Sequence, residues 1–267
     1  MNKQIYFLVF IFLIFSSCEN RIKGFRFSNF NDTQAEILAK AVKGNDIRKI
    51  REEILDKKID VNFIDKKYGW HLLSLAIANN KKKSFKQLLE LGADPNLYGS
   101  NCESPLILAI NMNLDLYFLK TLLVYNANVT PHFFLNKCDF FAYDPILETI
   151  LNFNDKNSYK YGLKVLRLLT KKVENLNLNE FNNSKNYEHN IICFCLKTRN
   201  ISALKYLIVD LKLKIPEKIF IDGTVLLNSY GYMSLKEILQ NKTFIFEHSP
   251  YREKAKQEIL AYLNKKE

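Results

Sequence analysis

Shifted along itself by 33 or 34 residues, the chain meets its own pattern again. Leu88-Leu89 returns as Leu122-Leu123, Leu75-Ala76-Ile77 as Leu108-Ala109-Ile110, and Asp60-Val61-Asn62 as Asp94-Pro95-Asn96, with Asn126-Ala127-Asn128-Val129 read as the next in that series. The clearest unit is Gly69 to Asn96. Two apolar blocks at helical spacing flank the polar break Asn79–Lys83, and Gly92 closes the second. The spacing predicts a helix, a tight turn, a second helix and a loop. Blocks this short do not make stable helices alone in water. Each unit therefore has to bury its apolar face against a neighbour, which constrains the chain to a stack of repeats.

The residues of the repeat resemble those of the ankyrin family. Ser104-Pro105-Leu106-Ile107-Leu108-Ala109 is similar to its Thr-Pro-Leu-His-x-Ala turn. Leu88-Leu89-Glu90-Leu91-Gly92-Ala93-Asp94-Pro95-Asn96 is similar to its Leu-Leu-x-x-Gly-Ala-Asp-x-Asn close. The resemblance covers residues 35–130 most densely. It implies an all-α ankyrin-repeat solenoid of stacked helix-turn-helix units, degenerate toward the C-terminus, spanning residues 33–267 in about five to six repeats. It also implies a non-catalytic protein-binding module whose partner is set by variable positions rather than by the fold.

Before the repeats comes an address. Met1-Asn2-Lys3 is a short positive start, and Ile5 to Phe15 are eleven consecutive apolar residues. A bilayer-spanning helix needs about 20, so residues 1–17 read as a signal peptide. Phe15-Ser16-Ser17-Cys18 resembles the lipobox of bacterial lipoproteins, with Phe15 where Leu is usual. That resemblance implies cleavage before Cys18, a diacylglycerol on its thiol and a membrane anchor. With Glu19 rather than Asp next, the expected place is the bacterial cell envelope, on the outer membrane facing the periplasm. An ordinary signal peptide cut near Ser17 is the alternative. Residues 18–32 read as a tether, although Phe25, Phe27 and Phe30 could instead cap the first repeat.

The first repeat begins with a cap at Asp32-Thr33 and a helix from Ala35 to Val42. It turns at Gly44-Asn45, and its second helix has Ile47, Ile50, Ile54 and Leu55 on the inner stripe. The third repeat runs from Tyr98 to Thr130, with Pro105 opening a helix. After Pro131 an aromatic-rich finger holds Phe133, Phe134, Phe140, Phe141 and Tyr143, the first two expected to be buried. A fourth repeat starts at Asp144-Pro145, with an insertion at Asn152–Lys160. A fifth spans Asn190 to Lys214, with Cys195 in the small Ala slot. A sixth is placed in Thr224–Leu239. Tyr251 to Leu263 reads as a capping helix with Ile259, Leu260 and Leu263 inward.

No residue pattern calls for catalysis, and no cofactor or metal is expected. The sequence contains no Gly-rich phosphate loop, Gly-x-Ser-x-Gly elbow or His-Glu-x-x-His helix. Besides Cys18 the cysteines are Cys102, Cys138, Cys193 and Cys195, without the paired spacing zinc requires. They read as buried thiols, with a disulfide among them open. His71 stands where the family prefers Thr, as a structural histidine. The binding residues expected from position within the repeat are Lys66, Lys67, Tyr68, Trp70, Tyr98, Asn101, Glu103, Phe141, Tyr143 and Asp144. Trp70, the one tryptophan, either packs at the base of its finger or faces a partner.

The net charge of +11 is spread over many lysines rather than concentrated in one run, which reads as a solvated basic surface. An unidentified protein is the expected partner of a monomeric chain, and nucleic acid is not expected. Two further readings stay open. Some bacterial ankyrin-repeat lipoproteins are immunity proteins that neutralise a secreted phospholipase toxin, and this chain resembles them in signal, lipobox and repeats. A structural role on anionic lipid or envelope polymer is the other.

Overall fold

The computed structural model describes residues 24–99, 103–112, 115–129, 145–153, 157–172, 191–221, 231–241 and 249–265. It divides into two compact units, one of residues 1–128 with 132–142, the other of 129–131 with 143–267.

The first unit opens with a 3-10 turn at Phe27–Phe30 whose two aromatic rings are buried against the helix that follows, Glu36–Gly44. So this part of the expected tether is in fact a cap on the first repeat. Three helix pairs follow. They are α1 (Glu36–Gly44) with α2 (Ile47–Arg51, continued by a π turn at Glu52–Asp56), α3 (Leu72–Ala78) with α4 (Lys82–Glu90), and α5 (Pro105–Asn111) with α6 (Leu116–Val124). First helices stack as α1, α3, α5, and second helices as α2, α4, with Phe85 meeting the α6 ring of Phe118 edge-on at 5.0 Å. The core between the layers is aliphatic: Leu38, Ile50, Leu72, Leu75, Ile77, Leu88, Leu106 and Ile110 are all buried.

Caps set the helix starts. Asp46, Ser104 and Asp115 accept backbone N–H groups from Lys49, Ile107 and Tyr117. For α1, the Thr33 hydroxyl accepts from the Ala35 N–H, and Glu36 reaches back to the Asp32 N–H at 2.8 Å.

The repeat close has a hydrogen-bonding purpose. Asn62 Oδ1 accepts the Asp94 N–H at 2.9 Å, and its Nδ2 donates to the Gly92 carbonyl. One repeat on, Asn96 Oδ1 accepts the Asn128 N–H at 2.7 Å and its Nδ2 donates to the Asn126 carbonyl at 3.2 Å. Each asparagine amide thus ties its loop to the next. These bonds correct the sequence register by two residues. Asn126 matches Gly92, both with positive φ, and Asn128 matches Asp94 rather than Asn96. The corrected spacing from Asp60 to Asp94 to Asn128 is 34 at each step.

The α2 stripe also differs from expectation. Leu55 is exposed and Glu53 is buried at 2%. From its cap, Asp46, to the left-handed residue Lys58 there are 12 steps, whereas Lys81 to Gly92 takes 11. The π turn absorbs the extra residue, and every side chain beyond it rotates by about 100°. The Glu53 carboxylate is compensated by Lys57 at 2.8 Å and Lys49 at 3.3 Å.

In the second unit, α7 (Pro145–Asn152) pairs with α8 (Tyr159–Lys172), and α9 (Ile191–Lys197) pairs with α10 (Ile201–Lys205, continued by a π turn at Tyr206–Asp210). Asn200 joins the two pairs. Its Nδ2 donates to the Ile150 carbonyl at 2.8 Å while its Oδ1 caps α10 at the Ala203 N–H. The chain then departs from pure helix. Strands β1 (Ile219–Ile221) and β2 (Gly231–Met233) form an antiparallel hairpin, with Phe220 opposite Tyr232. Helix α11 (Leu235–Gln240) follows a Ser234/Glu237 capping box, and α12 (Pro250–Asn264) packs on α10 and α11. The sixth repeat therefore starts its first helix at Leu235, later than the sequence suggested, and α12 is the second helix of that pair. Its inward stripe is Arg252, Ala255 and Ile259, with Leu260 and Leu263 only half-buried.

Two substitutions test this packing. In α8, a Cβ on Gly162 would lie 2.4 Å from the Phe153 Cβ. Gly to Ala inside a helix ordinarily stabilises by about 1 kcal/mol, but here overpacking by about 1–3 kcal/mol outweighs it. Gly162→Ala should lower the urea midpoint of the full chain. Asn96→Ala should cost about 1–2 kcal/mol in the same measurement, since two carbonyl and amide groups lose a partner.

Candidate functional site

The first finger is built around one carboxylate. Asp65 is 1% exposed, and its Oδ1 accepts the N–H groups of Lys67 at 3.0 Å and Tyr68 at 2.8 Å. Its Oδ2 accepts the Trp70 N–H at 2.7 Å, while its own N–H donates to the Trp70 carbonyl. Gly69, at φ +69°, makes the reversal, and Ile64 bridges to His71 across the base. The loop's donors are spent on a buried acid, so the tip is rigid while its side chains point out. Lys66, Lys67 and Tyr68 are exposed there, and the Lys67 ammonium lies 5.1 Å from the centre of the Tyr68 ring.

Trp70 takes the base position. It is 7% exposed and lies 4.3 Å from the Phe25 ring, beside Gly24, where an added Cβ would come within 3.3 Å of the indole Nε1. Trp70 supports the finger and leaves the set of side chains that could meet a partner. Below it, His71 caps α3. Its Nδ1 accepts the Ser74 N–H, and Nε2 is 2.9 Å from the Leu97 carbonyl and 3.0 Å from the Ser74 hydroxyl. Burial lowers the pKa of the ring to about 4, against the weaker pull of the Leu97 carbonyl and Asp94. The neutral ring thus carries the cap that Ser104 carries one repeat on and adds a bond to the next finger.

Of the second finger, Tyr98 is half-buried, which raises the pKa of its phenol. Glu103 is half-buried and accepts from the Asn111 amide at 3.2 Å, while its carbonyl accepts the Gly99 N–H. Asn101, Phe141, Tyr143 and Asp144 lie outside the described residues, as do Cys18, Cys102 and Cys138. The structure therefore brings Lys66, Lys67 and Tyr68 together on one tip. Sequence reasoning missed Asp65, whose signal was an Asp followed by Lys-Lys-Tyr-Gly, an Asx-turn composition.

A second surface lies on the other helix layer. Lys82, Lys83, Lys86, Gln87 and Glu90 of α4, with Ile47 and Tyr117, line a groove of about 330 Å³. Lys82 pairs with Asp115, whose carboxyl it holds below the usual carboxylate range. Cys193 and Cys195 are both buried and outside any disulfide, and burial pushes the Cys195 thiol far up. Two residues apart on a helix, they point to different faces, and both faces are covered because α9 is buried on nearly every side. Among the described residues no group of three His, Cys, Asp or Glu could hold a metal, and no helix is long and apolar enough to cross a membrane.

No family model matches the chain, and no curated protein does. Solved structures do. The crystal structure of EF0377, an ankyrin repeat protein, is 19% identical, with 85% of this chain and 96% of that one covered at a TM-score of 0.50. The fold is an ankyrin-repeat fold. The human ASB11 ankyrin repeat domain is 16% identical over 66% of this chain and 68% of that one, with a TM-score of 0.43. The repeat pattern read from residues 35–130 and the helix pairs of the structure agree with that fold, and the hairpins at Asp65–Trp70 and Ile219–Met233 are the fingers between its repeats.

The buried histidine gives this region a pH signature. Unfolded, His71 titrates near its ordinary 6.5, and folded near 4. Between those values the unfolded chain binds more protons, so the contribution of His71 falls as pH drops from about 7 to 4. Relative to His71→Thr, which keeps the cap, the wild-type chain should lose up to about 3 kcal/mol across this window. Urea unfolding of both chains at several pH values measures the difference.

Proposed function

We propose that the chain is a non-catalytic protein-binding module, tethered to a bacterial membrane through lipid on Cys18 and acting as a periplasmic adaptor or binding protein. The observation that carries the binding half is the first finger, where a buried Asp65 holds Lys66, Lys67 and Tyr68 outward on a stiff tip. A preorganised tip loses little conformational freedom on binding. It presents a tyrosine and two cations, and tyrosine is among the residues that dominate protein interfaces. The ankyrin fold supports the same reading, since it stacks helix pairs into a scaffold that displays such tips in series.

The membrane half rests on the sequence. Ile5 to Phe15 is a signal-peptide core too short to span, and Phe15-Ser16-Ser17-Cys18 has the form of a lipobox. A lipid-anchored binding protein needs no chemistry of its own. It needs only to hold a partner near the envelope.

Affinity purification of the tagged full chain from its own envelope fraction tests both halves. One dominant protein should come down with the wild type, and its recovery should fall by about tenfold or more in a Lys67→Glu, Tyr68→Ala chain of unchanged melting temperature. Equal recovery from the double variant would remove the finger from the interface. In parallel, Cys18→Ser should abolish labelling by a radioactive fatty acid and move the chain out of the membrane pellet. Persistence of label in that variant would defeat the anchor.

A further inference from the structure

The first finger lies beside the end of the tether. A Cβ placed on Gly24 would be 3.3 Å from the Trp70 indole nitrogen and 3.8 Å from Cδ1 of the Tyr68 ring, and the Phe25 ring packs on Trp70. The Lys67 ammonium is in turn 5.1 Å from the centre of the Tyr68 ring. Gly24 thus touches the finger, and Cys18 precedes it by only six positions in the sequence. Whatever Cys18 is attached to is a near neighbour of Lys66, Lys67 and Tyr68.

The chemistry of the finger matches a layer of anionic headgroups. Lys66 and Lys67 are exposed, and among the described residues neither is paired with a carboxylate. The acid of the loop, Asp65, is buried with its oxygens taken by three backbone N–H groups, so it offers no oxygen to repel a phosphate at contact. Asp60, the next exposed acid toward the N-terminus, holds the Asn62 N–H in the loop before the finger. Tyrosine is enriched at the level of headgroups, and long lysine stems carry their ammonium groups to phosphates while lying along apolar surface. Arg26 is exposed two residues after Gly24, and the stretch Glu19-Asn20-Arg21-Ile22-Lys23 is net positive.

An acidic protein would suit the same cations, but it has to arrive by diffusion, whereas an anchor delivers the bilayer. Each lysine close to an anionic surface favours contact about fivefold. Two make a factor of about 25, too little to hold a free protein on a membrane, yet enough to orient one that is already tethered there.

We propose that the first finger is the membrane-facing element of the anchored chain, with Lys66 and Lys67 seated on anionic phospholipid headgroups and Tyr68 at their level. This seating rests on the lipid anchor at Cys18 proposed above and concerns the same tip. A partner protein that takes the tip has to lift it from the headgroups, so the anionic content of the bilayer sets how available the tip is.

Trp70, the one tryptophan of the chain, reports on the base of this finger. The test places the lipidated full chain on two kinds of vesicle, phosphatidylcholine alone and phosphatidylcholine mixed with phosphatidylglycerol. Both contain a little lipid with a spin-labelled headgroup, a contact quencher of indole fluorescence. At about 0.15 M salt, quenching of Trp70 should be severalfold greater on the anionic vesicles, and about 1 M salt should remove the difference by shortening the screening length to about 3 Å. A Lys66→Glu, Lys67→Glu chain of unchanged melting temperature should show the lower quenching on both. Flotation separates the anchor from the seating. If the chain does not float with phosphatidylcholine vesicles it is unanchored, and both fall together. If it floats but is quenched alike on the two kinds of vesicle, or if the charge-reversed chain is quenched as strongly as wild type, the anchor stands and the seating alone is overturned.

Discussion

Helices of seven residues, such as α3 and α5, do not persist alone in water, and everything in this protein follows from that. Their backbone bonds survive only because one face of each is buried by the helix before it and another by the helix after. Stability is therefore a property of neighbours rather than of elements. This is why α1, α3 and α5 stack directly, and why the ends of the stack need covers. Phe27 and Phe30 serve one end of the first unit, and α12 closes on α10 in the second, where Lys205 and Glu258 add an ion pair at 2.8 Å.

Apolar stacking alone leaves the register free to slide, and polar groups remove that freedom. Asn62 and Asn96 fix one loop to the next, His71 fixes one finger to the next, and Asn200 fixes α7 to α10. Each uses both ends of a planar polar group, one on its own helix or loop and one across the joint. Such bonds contribute modestly in net free energy, but where they are buried, around His71 and Asn200, a slipped register would leave polar groups enclosed and unmade, which is costly. Among the described residues Gln87 departs from this pattern, as a buried amide whose nitrogen has no hydrogen-bond partner.

The period, the helix pairs and the capping residues were legible in residues 35–130, because apolar spacing and turn residues are local signals. What escaped was whatever depends on three-dimensional register. Leu55 was placed inward because an ordinary helix would put it there, and one inserted residue turned it out in favour of Glu53. Asn128 was matched to Asn96 because both follow a similar triplet, whereas hydrogen bonding matches it to Asp94. The finger residues Lys66, Lys67 and Tyr68 were found from their place in the repeat. The residue that shapes them, Asp65, was not, since an acid in a polar loop looks the same whether it is solvated or enclosed. For Trp70 the sequence allows either the base or the tip of the finger, and the ring contact with Phe25 at 4.3 Å puts it at the base. The sixth pair was misplaced because the Ile219–Met233 hairpin interrupts the helical spacing on which the reading relied.

The packing of Phe25, Phe27 and Phe30 has a geometric consequence for an anchored protein. The described residues begin at Gly24, so with lipid on Cys18, as proposed, only Glu19 to Lys23 separate the two in sequence. Five residues reach at most about 18 Å. Anchored in that way, the chain would not sample the width of a periplasm and would move as a two-dimensional object, close to the headgroups and turning about one point. Its local concentration toward anything else on that membrane is then set by surface density rather than by volume. Partners that are themselves membrane-bound would be met at high effective concentration, and soluble ones would have to come to the surface.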